Sequence, residues 1–401
     1  MARSEWKVII NGTDRSSIVL NASFDVGRQS FLDDFATNYA TVTARNNLGQ
    51  FDSMTPGQLC RFEHVTSSKV FPFWLESISY NDGIDADTST ATLVFSDVMG
   101  RLSKALGSSN TPPLSNYNGM QLLSDVFTNA FIYGQYAPPP DLLTPTTNYT
   151  NHQQYDIQGD KSLAEIVNIV LKNEGGGFYT QYVNPTTIWF YPWTQDMIYR
   201  NVAGFTFGNA PSASMLVWDQ MTRSNFGDLF ANTVSLSYQR TDLGTAPGPY
   251  KNSTSVSAYG IYNTTFDNFN NTFNSGDPFN PFFGIGDPQP AQALGDWFAT
   301  VLSDTNIQTY QIRISDFAQN NTAMSTFDSA IETLAVSMTS LTYNKPSVGL
   351  VTERVKVEGY TVTIEPDVTY YDIYFSPITI YSQLTLGLTE QGKLDTYRLG
   401  Y

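Results

Sequence analysis

The chain has 401 residues and a mass of 44.6 kDa, and 21 Lys and Arg against 37 Asp and Glu give it a formal net charge of −16. So acidic a chain does not suit a protein whose main work is gripping a phosphate backbone, which is done with Lys and Arg. Two His and one Cys exclude a disulfide framework, Cys/His zinc sites and any site needing three His ligands. Charged residues make up 14%, below the usual quarter or so, while aromatics reach another 14%. That balance belongs to a folded, β-rich protein, because strands favour Thr, Tyr and Phe where helical surfaces favour Lys and Glu. The apolar run Val8-Ile9-Ile10 is too short for a signal peptide, and no window of about 18 apolar residues offers a membrane span. The expectation is a chain made in the cytoplasm, with no stable membrane insertion, that leaves solution only by assembling into something larger.

In chain order, Trp6–Ile10 reads as a strand leading into Asn11-Gly12, a hairpin turn signal. Ser17–Leu20 and Ala22–Val26 continue the strand pattern until Gly27-Arg28 breaks it. Tyr39–Ala44, Gln58–Val65, Phe71–Tyr80 and Thr88–Phe95 complete about six short strands in the first hundred residues, spaced as in a barrel or sandwich. Met120–Phe131 has its apolar residues at helical spacing, Gly134–Asn151 is a Pro-rich loop, and Ser162–Asn173 is a helix with Ser162 and Glu165 placed as a capping box. Gly175-Gly176-Gly177 stops that helix, and Phe178–Val183 pairs with Thr187–Tyr191 across Asn184-Pro185. Strands resume at Ala231–Gln239. Residues 252–290 hold 7 Asn and 6 Phe without Lys or Arg and read as a long surface loop. Pro290–Asp304 is helical, Tyr310–Ile314 a strand, and Ser329–Leu341 fits either state. Val351–Val357 and Tyr360–Ile364 read as a hairpin turning at Glu358-Gly359, and the tail from Tyr370 is β-like, then polar.

The fold class is therefore mainly β, with barrel or sandwich domains and a small α+β insertion. The domains are expected at 1–105, an N-terminal barrel-like unit; 106–195, the α+β insertion; 196–364, a second β-rich unit carrying the 252–290 loop; and 365–401, a C-terminal β extension.

Motifs for catalysis do not emerge. His64 lies in a strand-like run and His152 in a Pro/Asn-rich loop, and neither stands in a nucleophile signature. Cys60 alternates along a strand as a small core residue rather than a thiolate. The pairs Asp33-Asp34, Asp85/Asp87 and Asp156/Asp160 read as turn or capping residues rather than a glycosidase pair. Asn81–Asp87 puts its Gly at the wrong place for a calcium loop and is flanked by strands. Glu174-Gly175-Gly176-Gly177 follows a helix, whereas a phosphate cradle precedes one. Trp189-Phe190-Tyr191 and Tyr370-Tyr371 are strand packing, since stacking platforms for nucleic acid come with a basic groove. No catalytic, cofactor-binding or metal-ligating residue is assigned.

The order of elements says more. Trp6–Arg15, then Ala22-Ser23-Phe24-Asp25-Val26-Gly27-Arg28, then Tyr39–Phe51 with its Ala-Thr-Val-Thr strand, resembles the N-terminal region of minor tail proteins of long-tailed bacteriophages, of the tail-tip or baseplate-hub type. Thr90–Leu102, Ala164–Gly177, Asn232–Ser237 and Leu394–Gly400 are similar to later landmarks of that family, in the same order. Gly134–Asn151 and 252–290 look like elaborations, and no appended peptidase or lysozyme-like domain is expected.

The resemblance implies a structural, non-enzymatic virion component at the distal end of a tail. It would close the tail tube, leave a channel through which DNA passes without specific binding, and join the distal tail ring and tube to fibres or adhesins. It implies a homotrimer, with barrels in 1–105 and parts of 196–364, and no cofactor. The acidic excess is expected to line the channel, where it would repel phosphate. The alternatives are a host-glycan-binding module of the tail, with Phe279, Phe282 and Phe283 as its surface contacts, and an envelope hydrolase built on a carboxylate pair.

Overall fold

β1 (Trp6–Ile10) enters the Asn11-Gly12 turn, where φ of 48° and 77° supplies the two left-handed residues of a tight hairpin, and returns as β2 (Thr13–Asp14). The computed structural model describes residues 5–377 apart from 32, 85–87, 105–113, 119–122, 124–150, 156–161, 174–175, 185–186, 194–197, 199, 226–229, 239–248, 270–288, 305–307, 318 and 347. The expected helix Met120–Phe131, apart from Leu123, lies outside these residues, as do nearly all of the Pro-rich loop and everything beyond Pro377.

β3 (Val19–Gly27), β4 (Tyr39–Arg45), β5 (Leu59–His64), β6 (Val70–Asn81) and β7 (Thr90–Ser96) join β1 and β2 in the order β3-β4-β7-β6-β5-β1-β2, with every pair antiparallel. Alternation decides which face is buried: Ala40, Val42 and Ala44 of β4 point inward with Ala91, Leu93 and Phe95 of β7. The sheet curls over itself. Phe24 on β3 lies 4.7 Å from Phe62 on β5, although three strands separate them in the sheet. Cys60 is fully buried in this core, as the sequence suggests. α1 (Val98–Ser103) follows β7, and Asp97 caps it by accepting from the Gly100 amide at 3.0 Å.

β8 (Leu114–Asn118) and β9 (Asn151–Tyr155) form a separate pair, which places His152 in a strand opposite Tyr117 rather than in a loop. α2 (Leu163–Asn173) starts with the reciprocal bonds of a capping box: the Ser162 amide donates to Glu165 at 2.6 Å, and the Glu165 amide donates to Ser162 Oγ at 3.2 Å. β10 (Gly177–Asn184) and β11 (Thr187–Trp193) form the expected hairpin. Its Phe178 and Phe190 pack with Leu163, Ile166 and Val167 of α2 and with Trp74 and Leu102 into one apolar cluster.

The rest of the chain builds a second block. It contains β12 (Thr206–Gly208), β13 (Met215–Val217) and β14 (Gln220–Asn225), then β15 (Thr233–Tyr238), β16 (Tyr250–Lys251), α3 (Ser253–Tyr259), β17 (Asn263–Phe269) and α4 (Gln289–Leu302). β18 (Gln308–Ser315), α5 (Asn321–Ala330), a 3-10 turn (Ile331–Val336), β19 (Met338–Lys345), β20 (Gly349–Ile364) and β21 (Thr369–Pro377) follow.

Two expectations are corrected here. The stretch from 252 is not a loop as far as 269. Asn252 caps α3 by accepting from the Ser255 amide at 3.2 Å, and β17 pairs in parallel with β15. Ser, Thr and Asn fill these elements, and few apolar positions mark their period. The second correction is Glu358-Gly359, which is no hairpin turn. Gly349–Ile364 is one strand, and its register on β21 slips between Val357 and Gly359. Glu358 is the extra residue of that bulge. The ambiguous stretch Ser329–Leu341 resolves into the end of α5, the 3-10 turn and the start of β19.

β20 joins strands of the two blocks into one large sheet. Its first half pairs with β19 and its second half with β3, while β21 runs along its other side. The resulting sheet has 14 strands. One apolar core, from Trp6 and Phe24 to Phe327, Tyr371 and Phe375, runs beneath both blocks.

Candidate functional site

The candidate site lies where the two blocks meet. Gly27 and Gly359 pair across the β3–β20 junction, and no side chain fits at either. A Cβ on Gly27 would sit 2.5 Å from the Glu358 carbonyl, and one on Gly359 would sit 2.5 Å from the Val26 and Arg28 carbonyls. Gly27 also holds φ at 82°. The bulge turns the Glu358 side chain into a buried ion triad. Lys356 Nζ donates to Glu358 Oε2 at 2.5 Å and Arg28 Nε donates to the same oxygen at 2.9 Å. All three side chains are nearly or wholly out of water. Burial pulls the Lys356 ammonium down to about 8, against the pull of Glu358.

Arg28 extends the junction to a third element. Its guanidinium lies 4.6 Å from the centre of the Phe35 ring, and Phe35 packs edge-on to Phe178 of β10. Asn168 of α2 clips the Phe35 backbone from both sides, accepting from its amide at 2.8 Å and donating to its carbonyl at 3.0 Å. The Gly-Arg pair that breaks β3 in sequence thus joins the first sheet, the second block and the α+β unit.

Further along the seam the contacts are again polar. Trp6 Nε1 donates to the Tyr371 hydroxyl at 3.2 Å, and Lys69 pairs with Glu332 at 3.0 Å. His64, at the end of β5, is wholly buried and faces two carboxylates: Glu5 Oε2 at 3.3 Å and Asp328 Oδ1, from α5, at 3.5 Å. Neither His64 Nε2 nor Asp328 Oδ1 has a hydrogen-bond partner. On the other side of the ring, Nδ1 accepts from the Ser67 amide at 3.2 Å, and the Ser67 hydroxyl is 3.0 Å away. Burial lowers the His64 imidazole to about 4. It raises Asp328 to about 7, with the Glu5 and Asp316 charges adding to the rise. Glu5 is raised by burial and then by Asp316. Among the described residues, Glu5, His64 and Asp328 are the group whose ligand atoms all fall within 4.8 Å of one another.

The joined sheet also presents a broad outer face. Register rows cross it without a break: Ser77, Val94, Thr41, Ser23, Thr363 and Tyr370 form one, and Ser79, Thr92, Thr43 and Asn21 another. A third runs Asp25, Thr361, Asp372, Arg313 and Gln220. Hydroxyls and amides dominate these rows. The cation in them, Arg313, is held by Asp372 through two bonds of 2.8 and 2.7 Å.

No protein-family model and no curated protein matches the sequence. Solved structures do. The tail protein from Neisseria meningitidis MC58 is similar over 94% of this chain and 97% of its own, with a TM-score of 0.59 and 11% identity. The 43 kDa tail protein of prophage MuSo2 from Shewanella oneidensis is similar over 94% and 98%, with a TM-score of 0.53 and 10% identity. The chain has the fold of phage tail proteins.

In this tail-protein fold two of the sequence landmarks fall at structural joints, and the Leu394–Gly400 landmark lies outside the described residues. Gly27-Arg28 is the junction, and the Thr90–Leu102 landmark is β7 running into the Asp97-capped α1. Phe279, Phe282 and Phe283 lie outside the described residues, as does most of the acidic end of Asn81–Asp87. The seam cluster escaped the sequence reading for a simple reason. Glu5, His64 and Asp328 are far apart in the chain, and no spacing rule links them. The alternation of β5, with His64 inward after Cys60 and Phe62, was the one available signal that this histidine is buried.

Proposed function

We propose that this chain is a structural component of a phage tail tip, a baseplate hub that closes the distal end of the tail tube and joins it to adhesion proteins. The observation that carries the reading is the end-to-end likeness in fold to two tail proteins, each covered almost completely. The proposed working form is a homotrimeric ring around a channel. A heterologous contact that closes on itself after three copies makes such a ring. Two β-rich blocks per chain would then give six surfaces around the axis. The continuous sheet supports this, because β20 fixes the two blocks at one angle instead of leaving a hinge.

The channel is proposed to let DNA pass without holding it. Phosphate is gripped by free Lys and Arg, and the net charge of −16 points away from that. The hydroxyl-rich rows of the joined sheet, with Arg313 already held by Asp372, are the kind of face a polyanion can slide along. The protein is proposed to act without catalysis, on partners that are other tail proteins: the distal ring, the tube, and fibres or adhesins. Its place would be the distal end of the virion tail, after synthesis in the host cytoplasm. Phe279, Phe282 and Phe283 remain proposed surface contacts.

Sedimentation of the purified chain over a range of concentrations tests the assembly. Growth of a species at three times the monomer mass is the expected result. A monomer at every concentration, with strong binding to host-cell glycan, would favour the adhesion reading instead.

A further inference from the structure

The buried cluster at the seam has a geometry that hydrogen bonding does not explain. A charge-assisted N–H···O bond brings its atoms to about 2.7–2.9 Å. His64 Nε2 stands 3.3 Å from Glu5 and 3.5 Å from Asp328, and it bonds to neither. Four ligands placed tetrahedrally at about 2.1 Å from a metal ion are about 3.4 Å from one another. The two His64–carboxylate separations match that spacing, and all three ligand atoms fall within 4.8 Å of one another.

The charges agree with this. Those bearing on Asp328 are the like charges of Glu5 and Asp316. Two orphaned polar atoms on side chains that are 0% and 4% exposed therefore face each other in an uncompensated acidic setting. Leaving buried polar atoms unpaired is costly, and a dication would satisfy all of them at once.

We propose that Glu5, His64 and Asp328 bind a divalent cation of the zinc class at the seam between the two blocks. One imidazole and two carboxylates are a donor set suited to zinc and unsuited to magnesium, which prefers an all-oxygen octahedron. Three protein ligands leave the fourth position to water. Glu5, whose side chain is 48% exposed, gives the ion its way in. In the metal-free protein the Ser67 amide donates to Nδ1, so the ring proton is on Nε2. A cation at Nε2 would displace that proton; for Nδ1 to carry it, the Ser67 amide would have to turn away and the Ser67 hydroxyl, 3.0 Å away, would accept it. Glu5 and His64 flank the first sheet and Asp328 belongs to α5 of the second block, so the ion would staple the two. This inference stands apart from the tail-tip reading and would hold in a protein of any function.

The test is isothermal titration calorimetry on the full chain after EDTA treatment, with zinc chloride and magnesium chloride as separate titrants, and melting curves alongside. The expected result is one zinc ion per chain, a melting temperature raised by zinc and not by magnesium, and affinity at least about tenfold weaker in Glu5→Gln and in Asp328→Asn. Glu5→Gln alters a half-exposed side chain and keeps the test valid if changes at buried Asp328 prevent folding. Absence of saturable zinc binding, or binding undiminished in both variants, would overturn the proposal.

Discussion

Gly27 and Gly349 both hold positive φ, at 82° and 92°, and their surroundings are opposite. Nothing lies near Gly349, so Gly349→Ala should cost only the left-handed strain, about 1–2 kcal/mol. Gly27→Ala adds a collision with the backbone of β20 and should cost about 3 kcal/mol or more. Urea unfolding of the two variants side by side checks the difference. Equal losses would show that the β3–β20 contact is looser than drawn. At the other end of the seam, Lys69→Met leaves Glu332 buried without its partner and should cost about 2–4 kcal/mol. Adding Glu332→Gln should recover most of that in a double-mutant cycle. Cys60, whose thiol burial pushes far up, should resist thiol reagents in the native protein and react once it unfolds. At this scale the sequence was a partial guide. The alternation around Cys60 announced its burial, and Gly27-Arg28 announced a break. What Arg28 reaches was invisible, because Glu358 is 330 residues away.

The elements legible in advance were those with a strong local signal. β4, β5 and β7 alternate cleanly, and α2 carries a capping box that forms as the residues prescribe. β20 misled because Glu358-Gly359 has the composition of a turn. The bulge uses Gly for close approach to Gly27 rather than for reversal, and only the partner strands on both sides reveal it. α3 and β17 were missed because polar residues fill both, and their stability comes from capping and pairing rather than an apolar stripe. One clip between the α+β unit and the first block is the Asn168 side chain on the Phe35 backbone. Asn168→Ala should free both bonds to Phe35, cost about 1–3 kcal/mol and speed exchange of the Phe35 amide. Unchanged exchange would mean that the Arg28–Phe35 stack holds the segment by itself.

At the scale of the molecule, one strand joins the first sheet to strands of the second block, and the fold that results is that of phage tail proteins. The order of landmarks along the chain pointed there, although no single motif did. The seam beneath β20 is where the blocks are held at a fixed angle, through the ion triad, Lys69–Glu332 and the His64 cluster. The proposed ring would need such a fixed pair of blocks, and the proposed passage of DNA would be served by the acidic charge and the hydroxyl-rich sheet face. Cryo-electron microscopy of the assembled particle, with this chain traced into the density, is the most direct test. The account predicts three copies ringing a channel at the distal end of a tail tube. A chain on a peripheral fibre, or absent from the particle, would contradict it.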